Sequence, residues 1–147
     1  MDLDRARAAF DRAAAGTQEV FGDFFLSRFL GLEVTYPGEN ACVVTFDVAD
    51  FLFNPQGSVH GGVLATALDI SMGHLINHCA GGPGTTLEMK VQYVAPARSG
   101  RVTCRGESMR RGGTWFLRAE ARDDEGTLLA FATSTWKLLK RPVAPPG

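Results

Sequence analysis

The spacing of apolar and polar positions changes character along this chain, and each change predicts a different element. Near the start, Leu3, Ala6 and Phe10 recur at helical spacing, with Asp2 placed to cap and Gly16 to stop. That predicts a surface helix over 2–15. A second helix is expected over about 18–30, where Phe21, Phe24, Phe25, Phe29 and Leu30 make a wide apolar face before Gly31. The period then drops to two. A strand is expected over 41–48, between Pro37-Gly38 and Asp50. Residues 85–94 alternate, with Leu87, Met89, Val91 and Tyr93 to one side and Thr86, Glu88, Lys90 and Gln92 to the other. Three more strands are expected at about 101–109, 115–123 and 127–139, divided by the turn sequences Arg111-Gly112-Gly113 and Asp124-Glu125-Gly126. Arg141 to Gly147, with its prolines, reads as a loose tail.

Between the first strand and the others, residues 61–79 show no alternation and no proline, and are apolar on nearly every side up to His74. A helix that is apolar all round is a buried helix. The order is therefore strand, buried helix, then four consecutive antiparallel strands. A curled antiparallel sheet wrapped around a central helix satisfies that order, an α+β fold. At 147 residues the chain makes one domain and needs neither disulfide nor metal to hold together. A net charge of −1 argues against a general nucleic-acid binder. No apolar run is long enough to span a bilayer, and the N-terminus lacks a signal-peptide pattern. Cys42, Cys79 and Cys104 are odd in number and widely spaced, offering no disulfide framework and no CxxC pair. The expectation is a soluble cytoplasmic protein.

The chemistry concentrates at Asp69. Burying a carboxylate unpaired is costly, and one placed inside an apolar helix points to a use. Helical spacing puts Gly62, Ala65-Thr66 and Met72-Gly73 on its face, a stripe of mainly small residues beside which open space is expected. The segment Asn54-Pro55-Gln56-Gly57-Ser58-Val59-His60-Gly61-Gly62 leads straight into the helix. Its glycine pair lets backbone approach a ligand closely, and the first N–H groups of a helix have no internal partner. Together they could take up an oxyanion, with Asp69 two turns further in acting against the polarised carbonyl. On the residues alone, Asp69 could equally pair with an arginine or cap another element, and Gly61-Gly62 could be only a tight entry turn. His74 and His78 lie four apart, but no HExxH glutamate separates them and no third ligand is evident, so no metal is expected. Phe21, Phe24, Phe25 and Phe29 read as core or subunit contacts.

Asn54, Gly57, His60-Gly61-Gly62, Leu64 and Asp69 resemble the Asn-x-x-Gly-x-x-His-Gly-Gly…Asp segment of the hot-dog-fold acyl-CoA thioesterases of the phenylacetic-acid-degradation and 4-hydroxybenzoyl-CoA thioesterase group. The strand Thr86 to Ala97, with its Tyr93…Pro96-Ala97 ending, and the hairpin Gly126-Thr127-Leu128-Leu129-Ala130 resemble further parts of that family. The resemblance covers about residues 31–139. It implies a hot-dog domain over 31–140, a helical extension over 1–30 and a tail over 141–147. It also implies hydrolysis of acyl-CoA, aryl or medium-chain, without a cofactor. Asp69 would be base or nucleophile and the Gly61 amide would polarise the thioester carbonyl. Asn54 would position water or substrate, Thr86 would hold the water, and His60 would orient the loop. Family members are dimers or tetramers in which the Asp of one subunit faces the Asn and glycine loop of another.

Coenzyme A brings phosphates, for which Arg110-Arg111-Gly112-Gly113 is the candidate, Arg110, Arg111 and Gly112 joining Gly62 as substrate-binding positions, with Arg98 and Arg101 behind them. A dehydratase of the same fold would use a loop histidine that Asn54-Pro55-Gln56 lacks. A non-catalytic acyl-CoA binding or regulatory module would keep the channel but lose the carboxylate. No partner nucleic acid or membrane is expected.

Overall fold

A computed structural model describes residues 1–16 and 24–140. Helix α1 runs Leu3–Ala15, capped by Asp2, whose Oδ1 accepts from the Arg5 N–H at 3.0 Å. Its buried face is Ala9 and Ala13, while Leu3 and Phe10 stay exposed. Of the second expected helix, Phe21 and its neighbours lie outside the described residues, and the described helix α2 is the short Phe25–Phe29. The expected tail over 141–147 also lies outside them.

The strands are β1 (Glu33–Thr35), β2 (Ala41–Asp47), β3 (Gly84–Tyr93), β4 (Arg101–Arg110), β5 (Thr114–Arg122) and β6 (Leu128–Leu138), with helix α3 spanning Gly61–Ala80. All six strands join one antiparallel sheet in the order β1-β2-β4-β5-β6-β3. The strand β1 escaped the pattern reading because three residues are too short for a period-two signal. Four consecutive antiparallel strands follow the helix as expected, but their order in the sheet is not their order in the chain. β3 does not pair with its chain neighbour β4 but crosses to the far edge and pairs with β6. Residues 94–100 carry that crossover, and Pro96 keeps them out of the ladder.

Helix α3 lies in the concave face of the sheet. Leu68, Met72, Leu75 and Ile76 on the helix and Val44, Phe46, Val102 and Leu117 on the strands are fully buried. The contact is close: a Cβ on Gly106 of β4 would stand 3.0 Å from the Ser71 backbone. Gly81, at φ +64°, ends the helix in the left-handed conformation that glycine adopts without strain. Met72, assigned above to the Asp69 face, sits instead in the core.

Alternation in β3 is broken once, and that break sets the site. The register with β6 slips between Thr86 and Glu88, leaving Leu87 as the extra residue of a bulge. Thr86 stands opposite Trp136, a buried inward residue, whereas Glu88 stands opposite Thr135 on the outer face. The bulge therefore turns Thr86 inward, off the face of Glu88, Lys90 and Gln92 on which strict alternation placed it. Leu87 is 56% exposed. The Ser134 hydroxyl, buried, donates to the Glu88 carbonyl at 2.6 Å and steadies the distorted strand.

Candidate active site

Asp69 projects from the middle of α3, and the inward turn of β3 brings Thr86 to it. The Thr86 hydroxyl donates to Asp69 Oδ1 at 2.7 Å. Among the described residues none bonds the other carboxylate oxygen and no cation pairs with the group. Burial pushes the Asp69 carboxyl above its ordinary value, and the Thr86 hydrogen bond pulls it partly back. A carboxylate made more basic in this way is better suited to take a proton near neutral pH. It opens on a cavity of about 220 Å³ lined by Phe24, Ile70, Gly73, His74, Gly84, Thr85, Thr86 and Trp136.

Phe24, expected as core or subunit contact, packs against the hydrophobic core and is also a wall of this cavity. Gly73 adjoins the cavity as the small-residue stripe suggested, but Gly62 does not. His74 is buried, and burial lowers its pKa, so the ring is neutral near pH 7. Its Nδ1 lies 3.1 Å from the Ile70 carbonyl, which assigns the proton to that nitrogen. Among the described residues no group of side chains could hold a metal ion. Cys42 and Cys104 are buried thiols pushed up to about 12, so neither supplies a thiolate at neutral pH.

The loop ahead of α3 is built by Asn54. Its Oδ1 accepts from the Gln56 N–H at 3.0 Å and the Ser58 N–H at 3.3 Å, and its Nδ2 donates to Ser58 Oγ at 3.3 Å. Gly57 turns the loop at φ +75°, where a side chain would be strained. His60 caps the helix: its Nδ1 accepts from the Gly62 N–H at 2.8 Å. The Gly62 amide, read above as a substrate contact, is thereby already satisfied. The Gly61 N–H has no partner among the described residues and is the free donor at this helix end. Tyr93, missed in the sequence reading, donates its hydroxyl to the Gly61 carbonyl at 2.8 Å, and a Cβ at Gly61 would meet its ring at 3.0 Å. Ser58 was missed as well. Tyr93 was invisible because its contact is made across the fold, whereas Ser58 bonds Asn54 only four residues away and carries no motif of its own. Asn54, Ser58, Gly61, Leu64 and Tyr93 to Pro96 line a second cavity of about 320 Å³.

The two halves do not meet within one chain. Gly61 and Asp69 are eight residues apart on one straight helix, about 12 Å along its axis at roughly 1.5 Å per residue. Their cavities share no lining residue. The sequence reading of Asp69 acting on a carbonyl at Gly61 of the same chain is ruled out by helical rise.

None of the expected phosphate contacts lines either cavity. Arg111 is tied to the neighbouring turn: it donates to Asn40 Oδ1 at 2.8 Å, the Glu39 carbonyl at 3.2 Å and Ser108 Oγ at 3.0 Å, and its guanidinium lies 5.2 Å from the Trp115 ring centre. Arg101 is held by Glu33, Asp47 and Thr45. Arg98 stands beside Asp123, Asp124 and Glu125. Arg110 has no partner among the described residues and borders an outer-face depression with Glu88, Met109 and Phe116. Gly112 is an exposed turn residue.

Residues 56–130, just over half of the chain and including the Gly61 loop, the Asp69 helix and Thr86, match the thioesterase superfamily. The medium/long-chain acyl-CoA thioesterase YigI of Salmonella typhimurium is 26% identical over 131 residues, covering 75% of this chain and 83% of that protein. Among solved structures, the thioesterase HI1161 from Haemophilus influenzae superposes with TM-score 0.75 at 22% identity, covering 82% of this chain and 87% of that one. The BH2602 protein from Bacillus halodurans, crystallised with CoA, superposes with TM-score 0.84 at 21% identity, covering 95% and 94%. At such identities the two structures speak for the fold alone: a hot-dog, with its sheet curled around the long helix. Fold, carboxylate-bearing helix and sequence match converge, and the chain belongs to the thioesterase superfamily.

Proposed function

We propose that this protein hydrolyses acyl-CoA thioesters, with Asp69 as the catalytic carboxylate and an active site completed by a second copy of the chain. The observation that carries this reading is the Asp69–Thr86 pair: a buried carboxylate held above its usual pKa, hydrogen-bonded by one hydroxyl, opening on a largely apolar cavity. The apolar walls suit an acyl group, aryl or medium-chain as in the phenylacetic-acid-degradation and 4-hydroxybenzoyl-CoA thioesterase group. The free Gly61 N–H, at the positive end of α3, suits a developing oxyanion.

The separation of about 12 Å implied by helical rise within one chain is what calls for a partner copy. Strand β3 offers the means. It is a ten-residue edge strand with an unpaired side and exposed Leu87 and Tyr93, the kind of edge that pairs with another chain. In a two-fold dimer, the Asp69 and Thr86 of one protomer face the Asn54–Gly61 loop of its partner. Asn54 then acts chiefly by holding that loop, with His60 capping it. In this arrangement Asp69 either takes a proton from water or attacks the carbonyl itself. Both roles need the carboxylate in the same place, and single-turnover hydrolysis in heavy-oxygen water separates them by whether Asp69 acquires the label.

The test is thiol release from a panel of acyl-CoAs. Wild type is expected to turn over at least one member, and Asp69→Asn to lose about two to four orders of magnitude in rate. Mixing inactive Asp69→Asn with inactive Asn54→Ala after exchange of subunits should restore part of the activity, because one mixed site carries both native halves. A wild type inert on every thioester but binding them as well as the variant would make the protein an acyl-CoA binding module instead.

A further inference from the structure

This inference rests on the reading that the Asp69 cavity receives the acyl group. We propose that Trp136 is the specificity-determining residue that limits acyl length, its indole acting as the closed end of that cavity.

No lysine or arginine lines the cavity, so its occupant is the uncharged tail of the substrate and not the phosphates of coenzyme A. Asp69 and Thr86 mark where the thioester carbonyl must lie. From there the lining continues along the helix to Gly73, one turn or about 6 Å further on. Trp136 closes the space at that level. It is 3% exposed and faces inward from β6, opposite Thr86.

Two glycines let the indole pack directly against helix and strand backbone. A Cβ on Gly73 would lie 3.0 Å from Trp136 Cη2 and 3.3 Å from Cζ3, so the ring edge rests on bare helix backbone. A Cβ on Gly84 would lie 3.4 Å from Trp136 Cε3 and 3.1 Å from Ile76 Cγ2, so the start of β3 is closed by the same ring and by Ile76. Helix, strand and indole are in contact there, which makes the ring the wall that an extending methylene chain would meet. The indole Nε1 is buried with no hydrogen-bond partner among the described residues, and the ring is held by packing against Gly73, Gly84 and the core.

The experiment uses saturated S-alkyl-CoA thioethers, from butyl to tetradecyl, which bind without being cleaved. Wild-type affinity should rise about fourfold per added methylene and then stop rising or fall at the length that reaches Trp136. Trp136→Phe and Trp136→Leu should move that break to longer chains. Gly73→Ala, which sets a methyl against the indole, should move it to shorter ones. Melting curves verify that each variant is folded; if both Trp136 variants unfold, Gly73→Ala carries the test. A break at the same length in wild type and every folded variant overturns the proposal, as does affinity rising through the whole series or no thioether binding at all. Failure of hydrolysis shows separately. A protein with a length break that releases no thiol keeps the Trp136 wall and loses the enzymatic reading, whereas turnover without a break does the reverse.

Discussion

Replacing Thr86 with valine keeps the size of the side chain and removes one atom's chemistry, the hydroxyl that donates to Asp69 Oδ1 at 2.7 Å. A hydrogen bond to a charged group contributes about 1.5–3 kcal/mol. At about 1.4 kcal/mol per decade, its loss corresponds to roughly a ten- to hundredfold fall in kcat/KM if the bond serves the reacting carboxylate. The pH dependence carries the sharper signature. Two effects act on Asp69 in the native protein: burial raises its pKa and the Thr86 bond lowers it. Thr86→Val removes only the second, so the carboxylate becomes harder to ionise. The acid limb of the pH–rate profile must therefore move to higher pH. Thr86→Ser restores the donor and should return both rate and limb most of the way. The assay is thiol release across the acid range for wild type, Thr86→Val and Thr86→Ser. An acid limb that stays put or moves to lower pH in Thr86→Val, or a serine variant as impaired as the valine one, would refute the reasoning.

Three further outcomes are expected. Asp69→Asn should melt higher than wild type at neutral pH, because a folded-state pKa raised above the unfolded value makes the ionised group a liability in the fold. That gain should shrink as pH falls through the folded pKa of Asp69, as melting temperatures measured against pH will show. Ser134→Ala leaves the Glu88 carbonyl without its donor and should cost about 1–3 kcal/mol in denaturant unfolding, with slower turnover because Thr86 is aimed by the same bulge. Arg111→Ala should lower stability by about 1 kcal/mol while leaving KM for acyl-CoA unchanged, since Arg111 is engaged with Asn40, Glu39, Ser108 and Trp115.

Much of this protein is legible in one dimension, because the decisive contrasts there are local. Period two against period 3.6 distinguishes the strands from α3, and the two hairpin turns announce themselves through Gly112-Gly113 and Gly126. Asp69 stands out because a carboxylate in an apolar helix conflicts with its surroundings, and that conflict is visible without coordinates. Tertiary structure alone decided the rest. Alternation puts Thr86 on the outer face with Glu88; a bulge at Leu87, steadied by Ser134 from another strand, turns it in to Asp69. Helical rise separates Gly61 from Asp69 by about 12 Å, so residues close in sequence open on two separate cavities. Tyr93 on the Gly61 carbonyl, Trp136 on Gly73 and Arg111 on the Glu39-Asn40 turn are contacts between residues 32 to 72 positions apart. No local pattern encodes such pairings. They follow from how the sheet curls around the helix, which only the folded chain determines.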